Sequence, residues 1–176
     1  MWYATDMTAA PKLKFSVGDS IVYPGYGVGQ VTELQERVFN GETQTFLVLS
    51  FKEAENESKV MVPLGNLQGV GLRTPSARKE AKAVLSFLES GGPDILASWK
   101  ERFNEHSKMM AAGDLLSVAK VLKALYILNK KKPLSFREKK MYQKALLLTA
   151  SEAALVLKRG RDEMEAQVLK LLEAGS

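Results

Sequence analysis

From Phe15 the chain alternates apolar with small or polar positions, Phe15-Ser16-Val17-Gly18-Asp19-Ser20-Ile21-Val22-Tyr23-Pro24, until Pro24-Gly25-Tyr26-Gly27 breaks the run. A period of two over that length predicts a strand running into a glycine-rich turn. Val28 to Val38 and Thr45 to Phe51 predict two further strands, joined through Asn40-Gly41, a dipeptide that tolerates positive φ and so favours a tight hairpin turn. Lys59 to Val62 predicts a short fourth strand after an acidic loop, Glu53 to Glu57, with Pro63 ending the pairing because it has no N–H to donate.

Past Arg73 the period changes. Thr74-Pro75 combines an N-cap oxygen with a proline whose missing N–H costs nothing at a first helical position, a helix-start signal that places a domain boundary near it. Helices are predicted over Ser76 to Glu89, Pro93 to Ala111, Asp114 to Asn129, Ser135 to Lys158 and Asp162 to Ala174. Gly91-Gly92, Gly113, Lys132-Pro133 and Gly160 interrupt them, and Ser135…Glu138 and Asp162…Glu165 have capping-box spacing. The expected fold is α+β: a small bent Tudor/SH3-like β-barrel over residues 15–73, then a compact all-helical domain of about five helices over residues 74–176. Residues 1–14 have no periodicity and read as a flexible tail, with Met7 a second possible start.

Charge divides along the same line. Through Arg73 the chain carries six Lys/Arg against eight Asp/Glu, a net −2; from Thr74 onward it carries nineteen against twelve, a net +7. The helical half is therefore the one suited to a polyanionic partner. With no cysteine there is no disulfide framework and no thiolate chemistry. No apolar run approaches the roughly 20 residues that a membrane span needs, so the expectation is a cytoplasmic protein without a membrane partner.

Candidate catalytic groups are few. His106 is the only histidine, on a Lys- and Met-rich segment without cysteines, so a zinc site or a Ser-His-Asp arrangement has little to be built from. Gly25, Gly27 and Gly29 are not followed by Lys-Ser/Thr or by a helix start, and so read as a β-turn and not a phosphate loop. Glu53 and Glu55 lie in a solvated loop that offers no apolar pocket to raise a pKa. The expectation is a non-enzymatic protein without a cofactor or metal.

The basic segment says more. Between Trp99 and Lys144 lie Lys100, Arg102, Lys108, Lys120, Lys123, Lys130, Lys131, Lys132, Arg137, Lys139, Lys140 and Lys144, against Glu101, Glu105, Asp114 and Glu138. Such a stretch can bind phosphates in a salt-sensitive, sequence-independent way, or can simply be the solvated faces of helices whose apolar sides are buried. Trp99, between Ser98 and Lys100 with Arg102 beyond, reads either as a core anchor or as an exposed aromatic wedge bordered by cations.

Together these residues resemble the CarD/CdnL family of bacterial transcription regulators from Phe15 to about Ala174. The resemblance is carried most specifically by Phe15-Ser-Val-Gly-Asp-Ser-Ile-Val-Tyr-Pro-Gly-Tyr-Gly-Val-Gly, and further by Val60-Met-Val-Pro63, Val70-Gly-Leu-Arg73, Trp99 with Arg102, Gly113-Asp114 and Leu134-Ser…Glu138-Lys139. It implies a Tudor-like domain that binds the RNA polymerase β subunit and a helical domain that engages promoter DNA. In it, Trp99 would be a minor-groove wedge at the upstream edge of the transcription bubble that favours the open complex. Polymerase contacts would fall on the strand with Glu36, Arg37, Val38 and Phe39 and on a facing strand with Val60, Met61 and Val62. Met61 stands where some members carry Arg. On the DNA side Arg102 and Lys139 align with basic positions, whereas Glu101 and Asn104 replace Arg or Lys of some relatives, which shifts expected phosphate contacts toward Lys100, Lys108 or Lys140.

The resemblance also gives the barrel a binding mode: an open sheet edge can accept a partner's strand main chain to main chain, with Arg37 and Phe39 supplying side-chain specificity. The expected protein is a monomer. A reading from another class is a protein-interaction adaptor whose helical domain holds a second protein, with Trp99 a buried hot-spot residue. An RNA- or ribosome-binding barrel is a third, against which the acidic first half counts.

Overall fold

The computed structural model describes residues 14–53, 56–93 and 95–176. Residues 1–13 of the expected tail, and Glu55 of the expected acid pair, lie outside the described residues. The chain folds as a curled, antiparallel four-stranded half-barrel followed by five helices among the described residues. The strands β1 (Ser20–Tyr23), β2 (Gly27–Phe39), β3 (Glu42–Glu53) and β4 (Asn56–Pro63) form a simple meander in the order β1-β2-β3-β4. The sheet is thus open, with β1 and β4 as its edges.

Asn40 and Gly41 take φ values of 51° and 82°, the left-handed pair that the Asn-Gly dipeptide predicts, and they set the β2–β3 register from Phe39↔Glu42 inward. A bulge between Val31 and Glu33 curls β2. One face of the sheet closes on Phe15, Ile21, Val31, Leu47, Leu49, Phe51 and Val62, with Leu72 added from the segment after β4. The first strand is shorter than its alternation predicts, because Gly18 at φ 96° turns the chain before Ser20. The expected acidic loop is also smaller: Glu57 is already in β4, opposite Lys52, and accepts a hydrogen bond from the Ser50 hydroxyl.

The helices are α1 (Arg78–Ser90), α2 (Trp99–Ala112), α3 (Leu115–Lys131), α4 (Phe136–Leu157) and α5 (Arg161–Ala174). Helix α3 packs against α1, α2 and α4. Its buried residues, among them Leu115, Val118, Val121, Leu122 and Leu125, therefore surround it and do not form one stripe. Lys123 is buried with them. Its ammonium donates to the carbonyls of Phe87 and Leu88 at 3.0 and 2.8 Å, at the end of α1 where the Phe87 carbonyl also accepts from the Gly91 N–H, and burial lowers its pKa.

Two helix starts differ from the sequence prediction by more than one residue. Helix α1 begins at Arg78 and not at Ser76, since Thr74 to Ala77 stays outside the helix and Glu80 accepts from the Ala77 N–H at 2.8 Å. Helix α2 begins at Trp99 and not at Pro93, with Ser98 as its N-cap. Helix α5 begins at Arg161 behind Gly160, without a side-chain cap, so the Asp162…Glu165 spacing is not used as a capping box. The Ser135…Glu138 box forms as predicted.

The half-barrel sits directly on the helices. A Cβ placed on Gly27 would lie 2.9 Å from Leu148 of α4, and one on Gly113 would lie 2.8 Å from Pro24. The glycine-rich turn Pro24 to Gly27 is a packing surface, closed by side chains from α3 and α4.

Candidate functional site

Two surfaces carry the residues singled out by sequence, and they are built differently. The first is at the start of α2. Ser98 caps the helix by accepting from the Glu101 N–H, and Trp99 at the first helical position is 45% exposed. One turn later Phe103 stacks on its indole, centroids 5.7 Å apart and planes 18° off parallel, which fixes the ring's direction.

Arg102, expected among the exposed phosphate contacts, is instead 2% exposed. Its guanidinium donates to the Leu96 carbonyl at 2.8 Å and to Glu138 Oε1 at 3.0 Å. Glu138 in turn accepts from the Ser135 N–H at 3.0 Å and hydroxyl at 2.8 Å. Burial alone would raise the Glu138 carboxyl, but Ser135 and Arg102 outweigh it and hold the group below its usual range. A buried guanidinium must be paired, and pairing it with Glu138 ties the first turns of α2 and α4 together. Arg102 thus positions the site and does not face a ligand.

The remaining basic candidates separate by geometry. Lys100, Lys139 and Lys140 are exposed on the first turns of these two helices. Lys108 is also exposed, but it lies nine residues beyond Trp99, about two and a half helical turns, and so on the opposite side of α2, where it pairs with Glu105 at 3.9 Å. Of the DNA-side candidates, Trp99, Lys100, Lys139 and Lys140 therefore remain on the two joined first turns, alongside the positive ends of two helix dipoles.

One residue here was missed by sequence reasoning. Phe136 is 71% exposed, with the Lys140 ammonium 4.6 Å from its ring centroid. Helical period gave no signal for it: Phe136 is opposite Glu138 but shares its face of α4 with the buried Ala154, 18 residues or five turns further on.

His106 lies on the packed side of α2. Burial first, and the neighbouring Arg102 charge second, push its pKa below the ordinary 6.5, so it is neutral at pH 7. Among the described residues no group of three or more His, Asp or Glu side chains is arranged to hold a metal ion.

The second surface is the far end of the β2–β3 hairpin. Val38 and Phe39 are 74% and 60% exposed. Directly paired residues share a face, so Leu34, Glu36 and Val38 lie on the core side with Leu47, and Gln35, Arg37 and Phe39 on the outer side with Phe46. Arg37 donates to Gln35 at 3.3 Å along that outer face.

The strand with Val60, Met61 and Val62 does not face β2. It pairs with β3, which lies between them, and Val60 to Val62 stand level with Leu49 to Leu47 while the hairpin end extends beyond. Alternation turns Val60 and Val62 toward the half-barrel core, with Val62 2% exposed, and leaves Met61 on the outer side. Val62 can therefore serve a partner only through its main chain, on the unpaired edge of β4.

No helix among the described residues is long and apolar enough to cross a membrane. A curled half-barrel whose hairpin end exposes Val38 and Phe39 is thus joined to a basic helical bundle. Residues 15–74 match the CarD-like/TRCF RID domain and residues 83–169 match the CarD C-terminal domain. The chain belongs to the CarD/CdnL family of transcription regulators, RNA polymerase-interacting factors. It is 28% identical over 142 residues to YdeB of Bacillus subtilis (strain 168), a protein named as a candidate transcription factor, covering 81% of this chain and 92% of that one. It is also similar to the 72-residue N-terminal domain of Myxococcus xanthus CarD solved by NMR, at 32% identity and a TM-score of 0.30 over 37% of this chain and 84% of that one.

Proposed function

We propose that this regulator acts without catalysis, as a polymerase-tethered stabiliser of the open promoter complex. The hairpin end with Glu36, Arg37, Val38 and Phe39, together with Met61 and the free edge of β4, would bind the β subunit of bacterial RNA polymerase. The apolar tip supplies the buried contact and the strand edge supplies main-chain hydrogen bonds. Trp99 would wedge into the minor groove at the upstream edge of the bubble, with Lys100, Lys139 and Lys140 holding phosphates and Phe136 adding a second aromatic face.

The observation that carries this reading is the state of Trp99: an indole held half out of the protein by Phe103, on a helix whose neighbouring arginine is locked inward. A wedge shifts the melting equilibrium only by its differential affinity for melted over closed DNA, and about 1.4 kcal/mol of difference gives roughly tenfold more open complex. Tethering raises the effective concentration of the DNA-facing half, so weak affinity for free DNA suffices.

The test is the lifetime of open complexes formed by a bacterial polymerase on a poorly melting promoter. Wild type lengthens it, while Trp99→Ala and Arg37→Glu, both at exposed positions and both folded, do not. No effect of wild type defeats the reading and leaves the adaptor that holds a second protein.

A further inference from the structure

An ion pair between Arg73 and Glu152 ties the half-barrel to the helices. Arg73 belongs to the half-barrel by its backbone: its N–H donates to the Val22 carbonyl at 3.1 Å, and its carbonyl accepts from the Val22 N–H at 2.8 Å. Its side chain belongs to the helices. The guanidinium donates from both terminal nitrogens to the two carboxylate oxygens of Glu152 in α4, each at 2.7 Å. It also donates to the Gly113 carbonyl at 2.8 and 3.3 Å.

Glu152 is 3% exposed and accepts two more hydrogen bonds, from the Ser76 N–H at 2.9 Å and hydroxyl at 2.7 Å. A buried carboxylate with this many donors, all from residues 73 and 76, is satisfied in only one placement of the half-barrel. Gly113 is the C-cap of α2, the helix that begins with Trp99.

We infer that Arg73 is a positioning residue that sets the orientation of the polymerase-tethered half-barrel relative to Trp99 by clamping Glu152 and the end of α2. The inference rests on the proposed function. At 1.5 Å per residue the 14 residues of α2 put Trp99 about 20 Å from the clamp. A tilt of the helical half by about 10° would then move the indole by roughly 3.5 Å, about the rise of one base pair. A tether that holds the wedge to within one step needs such a clamp; a flexible linker would leave the indole spread over several steps and would forfeit the gain in effective concentration.

The chain has no cysteine, so a spin-label pair can be introduced cleanly at the exposed positions Lys59→Cys on β4 and Lys170→Cys on α5. The distance distribution between these labels is measured with Arg73 native and in Arg73→Gln, Arg73→Lys and Glu152→Gln. The same four proteins, unlabelled, are assayed for binding to a polymerase β-subunit fragment and for open-complex lifetime.

The expected result is a narrow distribution for the native clamp and a broadened one for Arg73→Gln and Glu152→Gln. Lysine restores it only in part, because an ammonium cannot chelate a carboxylate with a planar fork. Binding to the β fragment stays within twofold, while the lifetime gain falls at least fivefold in step with the broadening. A merely structural role would lower all readings together or none.

A distribution of native width in folded Arg73→Gln and Arg73→Lys overturns the inference, and so does a broadened one with the native lifetime. Should Arg73→Gln not fold, Arg73→Lys and Glu152→Gln carry the test. Failure of the native protein to lengthen the lifetime is a separate outcome: it defeats the proposed function, whereas the label distances still report on the clamp.

Discussion

Arg102 and Glu138 meet at 3.0 Å with both side chains almost wholly buried, joining the second helix to the fourth one turn beyond the exposed Trp99. Removing one partner strands a charge in the core. Arg102→Ala is expected to cost about 3–5 kcal/mol of stability, read as a lower urea midpoint at unchanged m-value. Because the Glu138 carboxyl is held below its ordinary 4.5, its stabilising contribution is complete above that pH and is lost as the pH falls through the lower folded value. Acid titration of Arg102→Ala should show a smaller loss in that window than wild type.

A second pH window belongs to His106. Its folded pKa lies below the ordinary 6.5, so on acidification the unfolded chain takes up a proton before the native protein does. Stability is therefore expected to decline as pH falls below 6.5, until the depressed folded value is reached. Thermal melts of wild type and His106→Gln between pH 7.5 and pH 5 test this: the slope should flatten in the variant, well above the carboxylate window.

At the hairpin, exposure separates binding from folding. Val38→Asp should leave the melting temperature nearly unchanged, within the ±0.5 kcal/mol typical of surface sites, while weakening polymerase binding by at least tenfold. Val62→Asp places a charge in the half-barrel core and should unfold it. Comparable loss of fold in both would mean that the hairpin tip is packed in solution.

The residues proposed to face DNA predict a pattern of salt dependence. Lys100→Ala, Lys139→Ala and Lys140→Ala should each reduce the slope of log K against log salt by about 0.9 for a lost phosphate contact. Lys108→Ala, on the opposite side of its helix, should not. Phe136→Ala should weaken binding by an amount typical of one aromatic contact, about 1–3 kcal/mol, with the slope unaltered. Titration of a short duplex with a bubble at several salt concentrations reads all five.

Local rules written in adjacent residues were legible without a structure. Asn40-Gly41 requires a left-handed turn wherever it falls, and Ser135…Glu138 caps a helix with its own side chains, so both features appear where predicted. Alternation and helical period likewise marked four strands and five helices, because each counts neighbours along one element. The weaker start signals did not hold: Ser76, expected at the head of the first helix, has its N–H and hydroxyl taken by Glu152, 76 residues away.

What only the tertiary structure decided is which of several similar residues face water. Arg102 and Lys100 are both cations beside Trp99 in sequence, yet Glu138 withdraws the first into the core and nothing withdraws the second. Val38 and Val62 are both strand valines; the curl of the sheet buries one, while the other extends beyond the end of β4. Arg73 reads as the last residue of a domain and is, by its side chain, the group that joins the two halves. Hydrogen bonds and burial between segments far apart in the chain settle these assignments, and neither leaves a period or a motif in the sequence.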